Sequence, residues 1–215
     1  MGDPQTQVVD PAVSKRKFER EISNYRENEV DYRRRGWLLL EATFPRVLVV
    51  MATPQLSPPA VVTGVLLDYT DYDLQPPSVR LVDPFTWEPY LPGALPTTLK
   101  RSVTAGVAGE LPAGIQLPPG VQVPPGGQIQ MMTEQPLMQW HSDDDVPFLC
   151  IAGVREYHDH PAHTGDAWLL HRANGAGRLA RLLDVIDKYG LKPITQYGIQ
   201  LVPQITGFRQ TQPPA

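Results

Sequence analysis

The chain has one cysteine, Cys150, which rules out an intramolecular disulfide and suits a reducing, cytoplasmic setting. Long apolar runs are also missing. None approaches the ~20 residues needed to cross a bilayer, so no transmembrane helix is expected. The first residues show no basic stretch followed by an apolar one, so no secretory leader is expected either. Met1-Gly2 with Thr6 formally fits a myristoylation pattern. Without a polybasic segment or second anchor it gives no reason to expect a membrane partner. Cations are outnumbered, with 19 Lys and Arg against 23 Asp and Glu and a net charge of −4. That balance argues against nucleic acid as a partner, because phosphate binding needs clustered cations. What remains is ordinary for a folded chain: 215 residues, 41% hydrophobic and 20% charged, enough for a single domain with its own core. Proline is the exception. There are 24, about twice the usual ~5% share.

Asp10-Pro11 reads as a helix N-cap followed by proline at the first helical position, opening a helix over residues 11–34. Phe18, Ile22 and Tyr25 recur at helical spacing and predict its buried stripe. Lys15-Arg16-Lys17 opposes the helix dipole and Arg33-Arg34-Arg35 suits it. Past Gly36, strands are expected over residues 37–41, 45–52, 61–69 and 78–82, separated by short turns. Connections this short favour an antiparallel meander, since parallel strands need long crossovers.

Residues 91–147 read as an insertion rich in proline and glycine, and no charge falls between Leu111 and Thr133. A six-residue unit recurs as Gly114-Ile115-Gln116-Leu117-Pro118-Pro119, Gly120-Val121-Gln122-Val123-Pro124-Pro125 and a degenerate Gly126-Gly127-Gln128-Ile129-Gln130. The Pro-Pro steps exclude helix and leave a long surface loop or an extended interaction arm. A strand over 148–154 follows. A second helix comes after it, with Leu179, Leu182, Leu183 and Ile186 as its buried stripe, Asn174 as its cap and Gly190 and Pro193 as its end. Residues 197–202 read as a short strand or a loop. The class is α+β. It predicts one domain over residues 10–205, with flexible tails at 1–9 and 206–215.

The chemistry concentrates in Glu156-Tyr157-His158-Asp159-His160-Pro161-Ala162-His163-Thr164-Gly165-Asp166. Imidazole, thiolate and carboxylate together form a ligand set for zinc or another divalent transition metal. On an extended segment Glu156, His158 and His160 share one face, and Pro161 breaks the strand so that His163 can swing back. The compact expectation is His158, His160 and His163 with Glu156 or Asp166 as an oxygen ligand. Cys150 lies roughly 20 Å from Glu156 along a straight strand. It therefore joins only if the chain reverses, and Gly153 is the residue that would permit the bend. The spacing His-x-His-x-x-His also occurs in metallo-β-lactamase-type hydrolases, but Ala162 stands where those carry an aspartate. Gly175-Ala176-Gly177 reads as a helix-entry turn rather than a phosphate cradle. Asp143-Asp144-Asp145 reads as a solvated turn, and His141-Ser142-Asp143 lists triad residue types only as sequence neighbours.

Two stretches carry resemblances. The run Gly64-Val65-Leu66-Leu67-Asp68-Tyr69, continued through Gln75-Pro76-Pro77-Ser78 to Leu81, resembles the strand–Tyr–loop–Pro-Pro–strand signature of the ubiquitin-conjugating-enzyme (UBC-like) fold. The segment from Cys150 to Trp168 resembles a bacterial family of predicted metal-binding domains named for Cys, Glu, His and His. That family is encoded beside ubiquitin-like proteins, their activating enzymes and deconjugating peptidases. The resemblances imply a UBC-like, metal-binding component of a bacterial ubiquitin-like conjugation pathway. Its partners would be the ubiquitin-like protein or its activating enzyme, and its candidate ligands Cys150, Glu156, His158, His160, His163 and Asp166 around zinc. They leave three alternatives open: a conjugating enzyme with Cys150 as thioester nucleophile, a metal-dependent hydrolase, and a non-catalytic adaptor with structural zinc.

Overall fold

A computed structural model describes residues 8–108 and 128–198. Helix α1 (Pro11–Glu27) begins where Asp10 accepts a hydrogen bond from the Ala12 amide, with Pro11 in its first turn. The single helix expected over 11–34 is interrupted at Asn28, whose φ of −112° leaves the helical region. A short α2 (Glu29–Arg34) follows, braced by Arg33–Glu29 and Arg34–Asp31 pairs. Gly36 then turns the chain with φ +86°. A side chain there would strike the Ala52 carbonyl at 2.3 Å, so glycine is required.

The four strands expected after Gly36 are present as β1 (Trp37–Thr43), β2 (Arg46–Thr53), β3 (Ala60–Asp68) and β4 (Ser78–Val82). They form one antiparallel sheet in the order β1-β2-β3-β4. Alternate residues of β2, β3 and β4 face one core: Val47, Val49 and Met51 of β2, Val65 and Leu67 of β3, Val79 and Leu81 of β4. That period of two is the pleat itself. The helices close this face with Phe18, Ile22 and Tyr25 of α1 and with Leu179, Leu182, Leu183 and Ile186 of α5 (Leu179–Ile186). Each such side chain contributes roughly 1.5–3 kcal/mol on burial. Glu21 links the two helices, its Oε2 accepting from the Leu179 amide at 3.2 Å.

The insertion departs from the surface-loop reading. Strands β5 (Lys100–Ala108) and β6 (Gln128–Pro136) form an antiparallel ribbon in register from Lys100↔Pro136 to Ala108↔Gln128. Most of the six-residue repeat lies outside the described residues, as do residues 1–7 and 199–215. At the ribbon's base Leu99, Leu137 and Met138 enter the main core. Met138–Gln139 (β7) then pairs with Phe148–Leu149 (β8).

Three further expectations are corrected. The strand over 148–154 stops at Leu149, because the chain bends through Gly153 at φ +106°. Residues expected as an extended segment form helix α3 (Arg155–Asp159) instead, ended by Pro161 two residues on. Helix α5 begins at Leu179, with Arg178 rather than Asn174 at its cap and no side-chain capping bond. Asn174 instead reaches back from the end of α4 (Trp168–Arg172) to the Leu170 carbonyl at 3.4 Å. Of residues 197–202, the two described carry no regular structure.

Candidate functional site

Helix α3 is seated by its first residue. Arg155 is buried, its Nε donating to the Pro76 carbonyl at 3.2 Å and its Nη2 to that of Thr70 at 2.5 Å. The Arg155 amide also donates to Pro77 O at 2.9 Å. The guanidinium on two carbonyls and the backbone amide on a third fix the Pro-Pro loop to the start of α3. The candidate residues therefore stand directly beyond the Pro76-Pro77 signature.

The helical turn decides which candidates meet. With the backbone helical, Glu156 and His158 point about 200° apart and no longer share a face, and His160 lies past the helix end in extended backbone. Glu156 turns back to the sheet, where it accepts from the Ser78 hydroxyl and lies 3.6 Å from Arg80. His158 points inward. Its Nδ1 lies 2.8 Å from the Asp166 carbonyl, and its Nε2 accepts from the Gly153 amide at 3.3 Å. A carbonyl can only accept and an amide N–H can only donate, so the ring is the neutral Nδ1–H tautomer with both nitrogens used. Burial holds its pKa below the ordinary histidine value, and the neighbouring His171 works the same way. His160 stacks against both His141 and Phe148, at centroid distances of 4.9 and 5.4 Å, and those two rings also meet each other at 6.4 Å. Its Nδ1 accepts from the Ala162 amide at 3.1 Å.

Asp166 is the hub of a second network. Its Oδ2 accepts from the Tyr157 hydroxyl at 2.6 Å, and its Oδ1 lies 2.5 Å from His171 Nε2. These two hydrogen bonds hold its carboxyl below the usual range. Tyr157 is pushed up to about 12 by burial and by the Asp166 carboxylate that it serves. The Tyr157 ring stacks on His163 with centroids 4.0 Å apart. His163 Nε2 in turn lies 3.4 Å from Cys150 Sγ. The bend at Gly153 makes this contact possible, the role that the sequence suggests for it. Cys150 is half-buried, and its amide donates to Leu137 O at 2.7 Å, which anchors it to the base of the ribbon. Burial raises its thiol pKa and Arg101 draws it partly back.

These residues do not fit the expected zinc centre. His158 has no free nitrogen, Asp166 is engaged at both oxygens, and Glu156 is turned to Ser78. Among the described residues no three of His, Cys, Asp and Glu come together as a group able to hold a metal ion. Cys150 and His163 alone meet by geometry that zinc ligands would share. The sequence reading passes over Tyr157, His171, Ser78 and Arg101. Tyr157, inside the cluster, and His171, five residues after Asp166, carried a local signal; Ser78 meets Glu156 through a tertiary contact, and Arg101 acts on Cys150 through its charge.

No helix among the described residues is long and apolar enough to cross a membrane. The Y4jH-like model, described as the Y4jH family, matches residues 9–194. A protein of Sinorhizobium fredii (strain NBRC 101917 / NGR234), named "Uncharacterized protein y4jH", is 42% identical over 208 residues, covering 95% of each chain. A match of that extent takes in the sheet, the helices packed on it and the Cys150–His171 segment, and the chain belongs to the Y4jH family.

Proposed function

We propose that the protein is a UBC-like component of a bacterial ubiquitin-like conjugation pathway that carries the ubiquitin-like protein's C-terminal acyl group on Cys150. The observation that carries this reading is the 3.4 Å approach of Cys150 Sγ to His163 Nε2. Support comes from its setting, a helix and four-stranded meander followed by the Pro76-Pro77 loop, in the order that the UBC-like resemblance implies. A thiol whose pKa is raised by burial is mostly protonated at neutral pH, so a base within reach is what it needs. His163 Nε2 takes the thiol proton as Sγ attacks the thioester carbonyl presented by a charged activating enzyme. The new Sγ–C bond forms, and the old C–S bond breaks with its electron pair on the departing sulfur. That sulfur recovers the proton from His163.

The test mixes purified protein with a charged activating enzyme and its ubiquitin-like protein. A thiol-sensitive adduct is expected on the wild type and absent in Cys150→Ala, with formation slowed about 10²-fold or more in His163→Ala. No adduct on the folded wild type overturns the reading in favour of an adaptor. Near-stoichiometric zinc in the wild type, lost in Cys150→Ala, overturns it in favour of a metal centre.

A further inference from the structure

Three contacts close a ring around His163. The Tyr157 side chain lies flat on the imidazole, with centroids 4.0 Å apart and planes 23° apart. The Tyr157 hydroxyl donates to Asp166 Oδ2 at 2.6 Å. The Asp166 amide donates in turn to the His163 carbonyl at 2.9 Å. Each of these three residues thus holds the other two, through a stack, a side-chain hydrogen bond and a backbone one. The ring is also tied down from outside. Arg155, two residues before Tyr157, seats the start of α3 on the Pro76-Pro77 loop. From α4, His171 Nε2 meets Asp166 Oδ1 at 2.5 Å. The χ2 torsion of a histidine is broad, so nothing intrinsic to His163 aims its Nε2 at sulfur. A second ring stacked on its face resists rotation about χ2 and leaves Nε2 directed at Cys150 Sγ, 3.4 Å away.

We propose that Tyr157 is the positioning residue of the Cys150 site: its ring, anchored by Asp166, holds the His163 imidazole in the plane that aims Nε2 at the thiol. The assignment rests on Cys150 and His163 as the reactive pair and adds the residue that aligns them. The same ring face meets the imidazolium that forms when Nε2 takes the thiol proton, inside the ~6 Å over which an aromatic face attracts a cation. Tyr157 therefore acts through His163 and has no effect on the thiol without it.

The test is a double-mutant cycle read by iodoacetamide alkylation of Cys150 at pH 7.5, followed by intact mass; the chain's single cysteine makes the signal unambiguous. His163→Ala is expected to react about three- to tenfold more slowly than the wild type. Tyr157→Leu should slow alkylation by a similar factor while His163 is present. In the His163→Ala background it should change the rate by less than about 1.5-fold, because no base is left to aim. Tyr157→Phe keeps the stacked ring and loses only the anchor, so its rate should fall between those of Tyr157→Leu and the wild type. Unfolding would expose the half-buried thiol and speed alkylation, so a slower variant is not a misfolded one. A merely structural role would move the rate alike in both backgrounds, and that result overturns the assignment. So does a wild-type rate in Tyr157→Leu or in His163→Ala, or Tyr157→Phe reacting as slowly as Tyr157→Leu. The adduct assay is independent. An adduct without coupling between Tyr157 and His163 overturns the Tyr157 assignment alone; coupling without an adduct overturns acyl transfer alone.

Discussion

Gly153→Ala tests the bend on which the candidate site depends. Gly153 sits at φ +106°, outside the region open to side-chain-bearing residues. An added Cβ would lie 2.4 Å from the Ala176 carbonyl oxygen and 2.5 Å from its carbon. Both atoms are backbone, so no rotamer change can relieve the contact. The forced conformation costs about 1–2 kcal/mol and the overpacking about 1–3 kcal/mol. Together they predict a loss of roughly 2–5 kcal/mol. For a chain of this size each 1 kcal/mol moves Tm by about 2–4 °C, so a fall of roughly 4–20 °C is expected by calorimetry. Gly165→Ala is the internal control. It lies in the same segment, but an added Cβ there meets nothing within 4 Å. Its stability should stay within about 0.5 kcal/mol of wild type. If Gly153→Ala and Gly165→Ala melt together, the bend is not held as described, and the approach of Cys150 to His163 loses its structural basis.

Two further predictions concern pH. His158 is kept neutral by burial, so its folded pKa lies below the unfolded value. Its contribution is complete above about pH 6.5 and is lost as pH falls through the folded pKa, when Nε2 gains a proton and can no longer accept from Gly153. Between pH 7 and 5, Tm should therefore fall more steeply in the wild type than in His158→Ala, which starts lower; parallel slopes would exclude this role. Glu21 behaves oppositely. Burial raises its pKa, so the fold favours its protonated form and loses that stability as pH rises through the folded pKa. Glu21→Gln keeps an acceptor for the Leu179 amide and should be more stable than wild type at pH 8 but not at pH 4 by urea denaturation. Equal stability at pH 8 would refute the argument.

Much of the fold was legible because it rests on local rules. Alternating Val and Leu marked the strands, Asp10-Pro11 opened α1, and the Leu179–Ile186 stripe marked α5. The break at Asn28 was not legible, since the residues on either side are both good helix formers and nothing punctuates them. The ribbon was not legible either, because the pairing of Lys100 with Pro136 spans a segment whose prolines argue for irregular structure. The site divides in the same way. Sequence alone determined which side chains are available: one thiol, a cluster of imidazoles and carboxylates, and a glycine able to bend beside them. Only the tertiary structure decided their use. Seating Arg155 on the Pro76-Pro77 loop goes with a helical turn at 155–159, and a helix disperses side chains that a strand would align. His158, Glu156 and Asp166 were thereby committed to backbone, serine and tyrosine partners, while His163 was left against Cys150.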